Sequence, residues 1–329
     1  MKIKTLALAG AAAVALSAAA VGSAQVATAE PNGAPTFRAL AGVGSDTTQE
    51  VVNGLSDVVL AADGTTKLIA SYNADGGGNI KTKEAGCDFA RPNGSTAGRN
   101  ALLASLTPGS ATAGCVDFAR SSALNLASAS TQLTYVPYAV DALTFAVSSS
   151  SEVPRNLTLD QVKAIYRCEN VGAAPLNALI PQAGSGTRQS WLALMGLTET
   201  TKGACVKDVN NGQPVQEHDG RAVTGPRDIA PFSVAQYIAQ SFGAQTDRRG
   251  TVALGAIDGK VPLLLNTDVP GARTVYNIIP TAKEGVSPIA ETFVGPTSKV
   301  CAASATIQRF GFGLSPQCGS VTNRTATAQ

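Results

Sequence analysis

Pro181-Gln-Ala-Gly-Ser-Gly-Thr-Arg-Gln-Ser-Trp191 is the stretch from which the chain is best read. An apolar run, Leu176 to Ile180, leads into it. Trp191, Leu192, Leu194 and Met195 lead out along one face of a short helix, and Gly196 stands where a C-terminal cap belongs. The pattern predicts a tight Gly-rich turn opening a helix. Such a turn presents backbone N–H groups and the positive end of the helix dipole. Gly184 and Gly186 allow close backbone approach, Ser185 and Thr187 add hydroxyls, and Arg188 adds a guanidinium. That set suits a small oxyanion. The same residues also suit an ordinary N-cap with a solvated arginine.

Three more turns share this character. Gly42-Val-Gly-Ser-Asp-Thr-Thr48 follows a short strand, Thr36 to Ala41, and precedes Val51, Val52, Leu55, Val58 and Val59 at helical spacing. Thr47 and Glu50 have the spacing of a capping box. Arg91-Pro-Asn-Gly-Ser-Thr-Ala-Gly-Arg99 opens a second helical pattern. Cys115 to Ser122 reads as a short strand ending in a polar turn. Strands alternate with helices along the chain, which argues for an α/β fold. In open α/β sheets such turns gather at the carboxyl ends of strands, where ligands bind.

Elsewhere the signals are plainer. Leu133 to Ser148 is the strongest β pattern but is long for one strand, so a strand, a crossing and a second strand are expected. Leu157-Thr158 with Gln161 announces a capped helix. Lys207 to Arg227 is polar and broken by Gly and Pro, and is expected to be a surface excursion. Pro231-Phe-Ser233 starts a helix bearing Val234, Tyr237, Ile238 and Phe242. Thr251–Ile257, Val261–Leu265 and Thr274–Pro280 are strand candidates, and the tail 321–329 is expected to fray.

Lys2 and Lys4, an Ala/Leu/Val run to about Val21, and Ala27-Thr28-Ala29 make a cleavable export signal over 1–29. No cysteine lies near the cleavage point for lipid attachment. Removing the two lysines brings 25 basic side chains against 23 acidic ones into balance, which gives no footprint for nucleic acid or an anionic membrane. With 44% hydrophobic and 15% charged residues, the remainder reads as globular. Six cysteines in an exported chain imply disulfides. Their sequential couples favour Cys87–Cys115, Cys168–Cys205 and Cys301–Cys318, among fifteen possible pairings. No Cys-x-x-Cys pair is present and there is one histidine, so neither a metal nor a cofactor is expected.

The motifs and their order, from about Thr36 to Leu314, resemble the phosphate-binding proteins of phosphate ABC transporters. Gly184-Ser-Gly-Thr-Arg188 is similar to that family's phosphate loop. Gly42 to Thr47, Asp117-Phe-Ala-Arg-Ser-Ser122, Val136 to Leu143 and Asn156 to Tyr166 fall in the family's order. The turn Gly94 to Gly98 is a weaker match. The resemblance implies two α/β lobes around a cleft: 36–140 plus 266–320, and 141–265. It implies ligand contacts from Ser45, Asp46, Thr47, Ser121, Ser122, Ser185, Gly186 and Thr187, with Arg188 where many relatives also have arginine. Arg120 and Arg188 are the charges expected to offset the anion.

The chain also departs from that family. Pro181 and Ala183 replace an arginine and an acid that relatives often carry before the loop. Relatives that accept a hydrogen bond from protonated phosphate use an aspartate where this chain has Ser-Ser-Ala. An acceptor-only group separates protonated phosphate from sulfate, and Asp46 or Asp141 is expected to supply it. The expectation is therefore an exported monomeric receptor without enzymatic chemistry, delivering phosphate or a related oxyanion to a permease. The alternatives are a phosphatase-like hydrolase on the same scaffold, or a surface interaction protein without a small ligand. His218, the one possible imidazole base, is expected to be a solvated loop residue, since no Gly-x-Ser-x-Gly elbow is present.

Overall fold

Period-two alternation sets the first strand: Leu40 and Gly42 face one core, while Ala41 and Val43 face another. The computed structural model describes residues 37–262 and 268–328. The export signal, and residues 263–265 of the Val261–Leu265 strand candidate, lie outside them. The chain runs through β1 (Leu40–Gly44), α1 (Gln49–Val58) and β2 (Ile69–Ser71). A small hairpin follows, β3 (Asn79–Lys81) with β4 (Asp88–Ala90), then α2 (Ser95–Leu106) and β5 (Phe118–Ser121). Next come β6 (Leu133–Ser148), β7 (Asn156–Leu157), α3 (Leu159–Tyr166), β8 (Asn177–Ala178) and α4 (Gly186–Met195). The short pair β9 (Val209–Asn210) and β10 (Gln213–Pro214) precedes β11 (Asp228–Ser233) and α5 (Val234–Ser241). The chain closes with β12 (Val252–Leu254), β13 (Ala256–Ile257), β14 (Gly271–Pro280), α6 (Ile289–Phe293), α7 (Lys299–Ala302), α8 (Ser304–Arg309) and β15 (Gly313–Leu314).

One mixed sheet carries the architecture, in the order β2-β1-β5-β14-β6-β11-β8, with β12 and β15 also on β6. β1 is parallel to β2 and β5, whereas β14 is antiparallel to β5 and β6. Helices cover the sheet, giving a mixed α/β architecture. Around the β1 end, α1 packs Val51, Val52 and Leu55 on Phe118, Phe293 and Phe310, and α2 packs Leu102 on the opposite face with Tyr135. Around the β11 end, Trp191, Tyr166 and Phe145 form one core, and Phe232, Val215 and Val223 another.

β6 is where the structure departs most from the sequence reading. It is one unbroken strand of 16 residues, with no crossing. It can be this long because each part has its own partners. Leu133 to Leu143 pairs with β14, Leu143 to Ala146 with β11, and Ala146 to Ser148 with β12. Pro137 is tolerated because the β14 register shifts beside it, between Val275 and Tyr276.

The tail also differs from expectation. Tyr135 N–H donates to Asn323 O, Thr325 exchanges bonds with Leu133, and Ala328 N–H donates to Ala129 O. Its polar residues are spent on backbone groups of the chain around 129–135, so composition alone misleads. The cysteines pair as 87–115, 168–205 and 301–318. These close loops of 28, 37 and 17 residues, each worth roughly 3–4 kcal/mol by the chain-entropy relation.

Candidate functional site

Four helix starts and strand ends converge at the middle of the sheet. The first is the turn after β1. Gly44 has φ +118°, and a Cβ there would stand 2.7 Å from Arg120 O, so only glycine allows the turn to lie this close to β5. The turn then buries Ser45, Asp46, Thr47 and Thr48. Thr48, not Thr47, is the N-cap of α1, and it makes no side-chain cap bond. The expected capping box therefore does not form, because Thr47 Oγ1 is engaged across the cleft.

The second and third starts are α2 and the end of β5. Ser122 N–H donates to Ser95 Oγ at 3.0 Å, and the two hydroxyl oxygens are 3.4 Å apart. The fourth is α4. Ser185 is its N-cap, accepting from Thr187 N–H and Arg188 N–H, and Gly196 closes it in the left-handed conformation. Gly186 faces the other turns: a Cβ there would lie 2.4 Å from both Ser122 Oγ and Ser95 Oγ. Thr96 N–H donates to Gly184 O across the same gap.

Hydroxyls from three turns meet at Thr47. Its Oγ1 lies 3.3 Å from Ser122 Oγ and 3.1 Å from Thr187 Oγ1, and it donates to Glu217 Oε1. Arg273 supplies the positive charge. Its Nη2 donates to Thr187 Oγ1 at 2.8 Å and its Nη1 to Ser122 O at 3.2 Å. The guanidinium is itself held by Asp141 Oδ2, at 2.8 Å. Arg273 and Asp141 stand directly opposite each other in the β14–β6 ladder, which fixes this pairing.

Several residues singled out in the sequence face elsewhere. Arg188 turns away from the cleft, onto Glu199, Asp208 and the carbonyl of Pro181. Arg120 is fully buried beneath the first turn. It donates to the carbonyls of Gly42, Gly44 and Ser45 and to Ser71 Oγ, so it props the turn and does not face a ligand. Ser121 Oγ closes a local turn with Ala123. Ser185 Oγ is used by its own helix. Asp141 is saturated: Oδ1 accepts from Ser233 Oγ and Ala235 N–H, and Oδ2 accepts from Arg273. It has no lone pair set free for a ligand proton.

Three residues of the site carry no clear signal in the sequence. Ser95 lay in the weakly matched Gly94–Gly98 turn. Arg273 sits one place before the predicted strand 274–280, and only the ladder register reveals its partner. Glu217 lies in the polar stretch 207–227, whose composition predicts surface. That excursion in fact buries both Glu217 and His218. His218 is no solvated loop residue: its Nε2 is 3.3 Å from Asp75 Oδ2, which also takes Arg248 at 3.0 Å. Burial disfavours the charged imidazole, but the hydrogen bond and charge of Asp75 outweigh it and hold the pKa up at about 10. Burial, with Glu217 alongside, pushes Asp46 up to about 7. Asp46 Oδ1 accepts from Thr47 N–H, whereas Asp46 Oδ2, Glu217 Oε2 and Ser45 Oγ have no hydrogen-bond partner.

The site can therefore offer hydroxyls and a clamped guanidinium to an anion, and free carboxylate oxygens to a hydrogen on it. No helix among the described residues is long and apolar enough to cross a membrane. Solved structures share this arrangement of the chain. An ABC-type phosphate transport receptor from Vibrio cholerae matches at 16% identity and TM-score 0.54, over 84% of this chain and 100% of its own. A phosphate ABC transporter substrate-binding protein from Clostridium perfringens, solved with bound phosphate, matches at 14% identity and TM-score 0.56, over 84% of this chain and 99% of its own. No curated protein matches the sequence. The family model of the PBP superfamily domain spans residues 14–295, so the chain belongs to the PBP superfamily.

Proposed function

We propose that this chain is an exported receptor that captures a small oxyanion, inorganic phosphate first, between two lobes and presents it to an ABC-transporter permease. The observation that carries this reading is the meeting of the Thr47, Ser122 and Thr187 hydroxyls, from three separate turns, beside the Arg273 guanidinium. The ligand set is Ser45, Asp46, Thr47, Ser122, Gly186, Thr187 and Arg273. Arg120, Arg188 and Ser185 hold the turns in shape. The lobes are assigned as 36–140 plus 266–320, and 141–265; each end of the sheet has its own core, and Ala235 of α5 packs across into the core at the β1 end. The receptor acts as a monomer.

Specificity rests on Glu217 Oε2, and on Asp46 Oδ2 in its ionised form, as open acceptors. Phosphate carries a hydrogen near neutral pH that can be donated to them, and sulfate does not, so sulfate meets uncompensated repulsion. A hydrolase reading has less support. His218, the only imidazole, is held protonated by Asp75 and so is a poor general base. Thermal melting and calorimetry with phosphate and sulfate test the proposal. Phosphate at a hundred times its Kd should stabilise the chain by about 2.7 kcal/mol, and sulfate at equal concentration by much less. An unmoved melting curve in millimolar phosphate would refute it. Turnover of a generic phosphomonoester would favour the hydrolase.

A further inference from the structure

The excursion 207–227 brings a second set of groups to the edge of the cleft. Asp46, Glu217 and His218 are each more than nine-tenths buried, and one ligand atom from each lies within 4.8 Å of the others. Each uses one polar side-chain atom within the protein. Asp46 Oδ1 accepts from Thr47 N–H, Glu217 Oε1 accepts from Thr47 Oγ1, and His218 Nε2 faces Asp75 Oδ2. Each leaves its other atom without a donor or acceptor from the rest of the protein: His218 Nδ1 stands alone, and Asp46 Oδ2 and Glu217 Oε2 belong to carboxyls that face each other closely enough to share a proton. Two carboxyls and an imidazole buried together within reach of one point can be joined by one bound cation.

We propose that Asp46, Glu217 and His218 form a divalent-cation site beside the oxyanion turns. The donors are two carboxylate oxygens and one imidazole nitrogen, a set that favours Zn2+ or Mn2+ over Ca2+, which takes six to eight oxygens. The far side of the imidazole supports the assignment. A metal-binding histidine almost always donates its other ring N–H to a carboxylate or carbonyl, which orients the ring, and Asp75 stands at that position. Gln240 Nε2 fixes His218 O at 2.8 Å, and Ser233 N–H fixes Glu217 O at 2.9 Å, so the donors sit on a held backbone.

Carboxylate charge in an anion-binding cleft would repel the anion unless a positive charge offsets it. The imidazolium provides one such charge, and a cation that displaces its proton provides two. Each carboxylate oxygen has two lone-pair sites, so a bound cation leaves Asp46 and Glu217 able to accept from a ligand as well. The cation site stands whether or not phosphate is the ligand. Where both hold, the cation tightens phosphate binding.

The test uses untagged, chelator-treated protein in phosphate-free buffer, titrated with ZnCl2, MnCl2, MgCl2 and CaCl2. One equivalent of Zn2+ or Mn2+ should bind and raise the Tm, and Asp46→Asn or Glu217→Gln should weaken binding about tenfold or more. The exposed Glu169→Gln serves as a control and should bind as the parent does. The chain has one histidine, so its ring NMR resonances report on the site without any variant. They should shift with one equivalent of Zn2+ and broaden with Mn2+. Unmoved ring resonances, or equal affinity in the Asp46→Asn/Glu217→Gln protein, would overturn the proposal. Phosphate binding is measured separately with chelator present, so either reading can fail while the other stands.

Discussion

Gly186→Ala tests whether the turns must close as far as they do here. The added Cβ would stand 2.4 Å from Ser122 Oγ and from Ser95 Oγ, and 3.1 Å from Ala123 N. Ordinary contact begins near 3.4 Å, so each hydroxyl must retreat by about 1 Å. Neither can do so freely. Ser95 Oγ accepts from Ser122 N–H, and Ser122 Oγ lies 3.3 Å from Thr47 Oγ1. The easier relief is for α4 to draw back from α2 and β5, which parts Thr187 from Thr47. Overpacking of this kind costs about 1–3 kcal/mol, which converts to roughly 5- to 150-fold weaker phosphate binding. The same substitution favours the helix by up to about 1 kcal/mol, because alanine loses less backbone entropy than glycine. The ligand-free Tm should therefore hold or fall modestly, by less than the overpacking alone would cost, while the calorimetric affinity falls. Unchanged affinity would mean that the ligand is bound without this closure, and the convergence of hydroxyls would lose its functional meaning.

Arg273→Gln should lower both stability and affinity. It strips the partner from Asp141, a carboxylate with no exposed surface, at a cost of about 3–5 kcal/mol seen as a lower Tm. Asp141→Asn in the same background should recover much of the Tm but not the phosphate affinity, because Thr187 and Ser122 still lack the guanidinium. Arg188→Ala should leave phosphate affinity within about twofold and cost about 1 kcal/mol, since Glu199 and Asp208 are half exposed and regain water. It should also change the acid limb of stability. Hydrogen bonding to Arg188 holds the Glu199 carboxyl below the usual range. That contribution is present above the unfolded value, near about 4.3, and is lost as pH falls through the folded one. Urea midpoints against pH should therefore fall less steeply below about pH 4 in Arg188→Ala than in the parent.

What could be read in the sequence was what local chemistry decides. The α3 cap forms as the Thr158–Gln161 spacing predicts, with both bonds of the box. Ser185 and Gly196 begin and end α4 because their roles depend on backbone a few residues away. The turns converge because strand ends converge in an open sheet. Arg120 and Arg188 face away from the ligand turns for a common reason. A guanidinium reaches far, and its partners are set by distant chain. Arg188 is taken by Glu199 and Asp208, and Arg120 by carbonyls some 75 residues earlier. Glu217 and His218 were hidden by the polar composition around them, which reads as surface. They are buried because Thr47 and Asp75, each more than 140 residues away, supply the partners that a buried polar group requires.

Arg273 marks the limit most sharply, and it also shows what the long strands accomplish. Its role depends on the β14–β6 register, in which Gly271 through Pro280 pairs down to Leu133 with one shift. A slip of one residue would turn Arg273 to the other face and leave Asp141 buried without its cation. The register is held by Tyr276 and Val275 in two different cores, and by Gly271, where a Cβ would lie 2.0 Å from Leu143 O. From that fixed point one guanidinium reaches Ser122 at the end of β5 and Thr187 at the start of α4. The two strands that run the length of the sheet thus also deliver the charge to the place where its opposite sides meet.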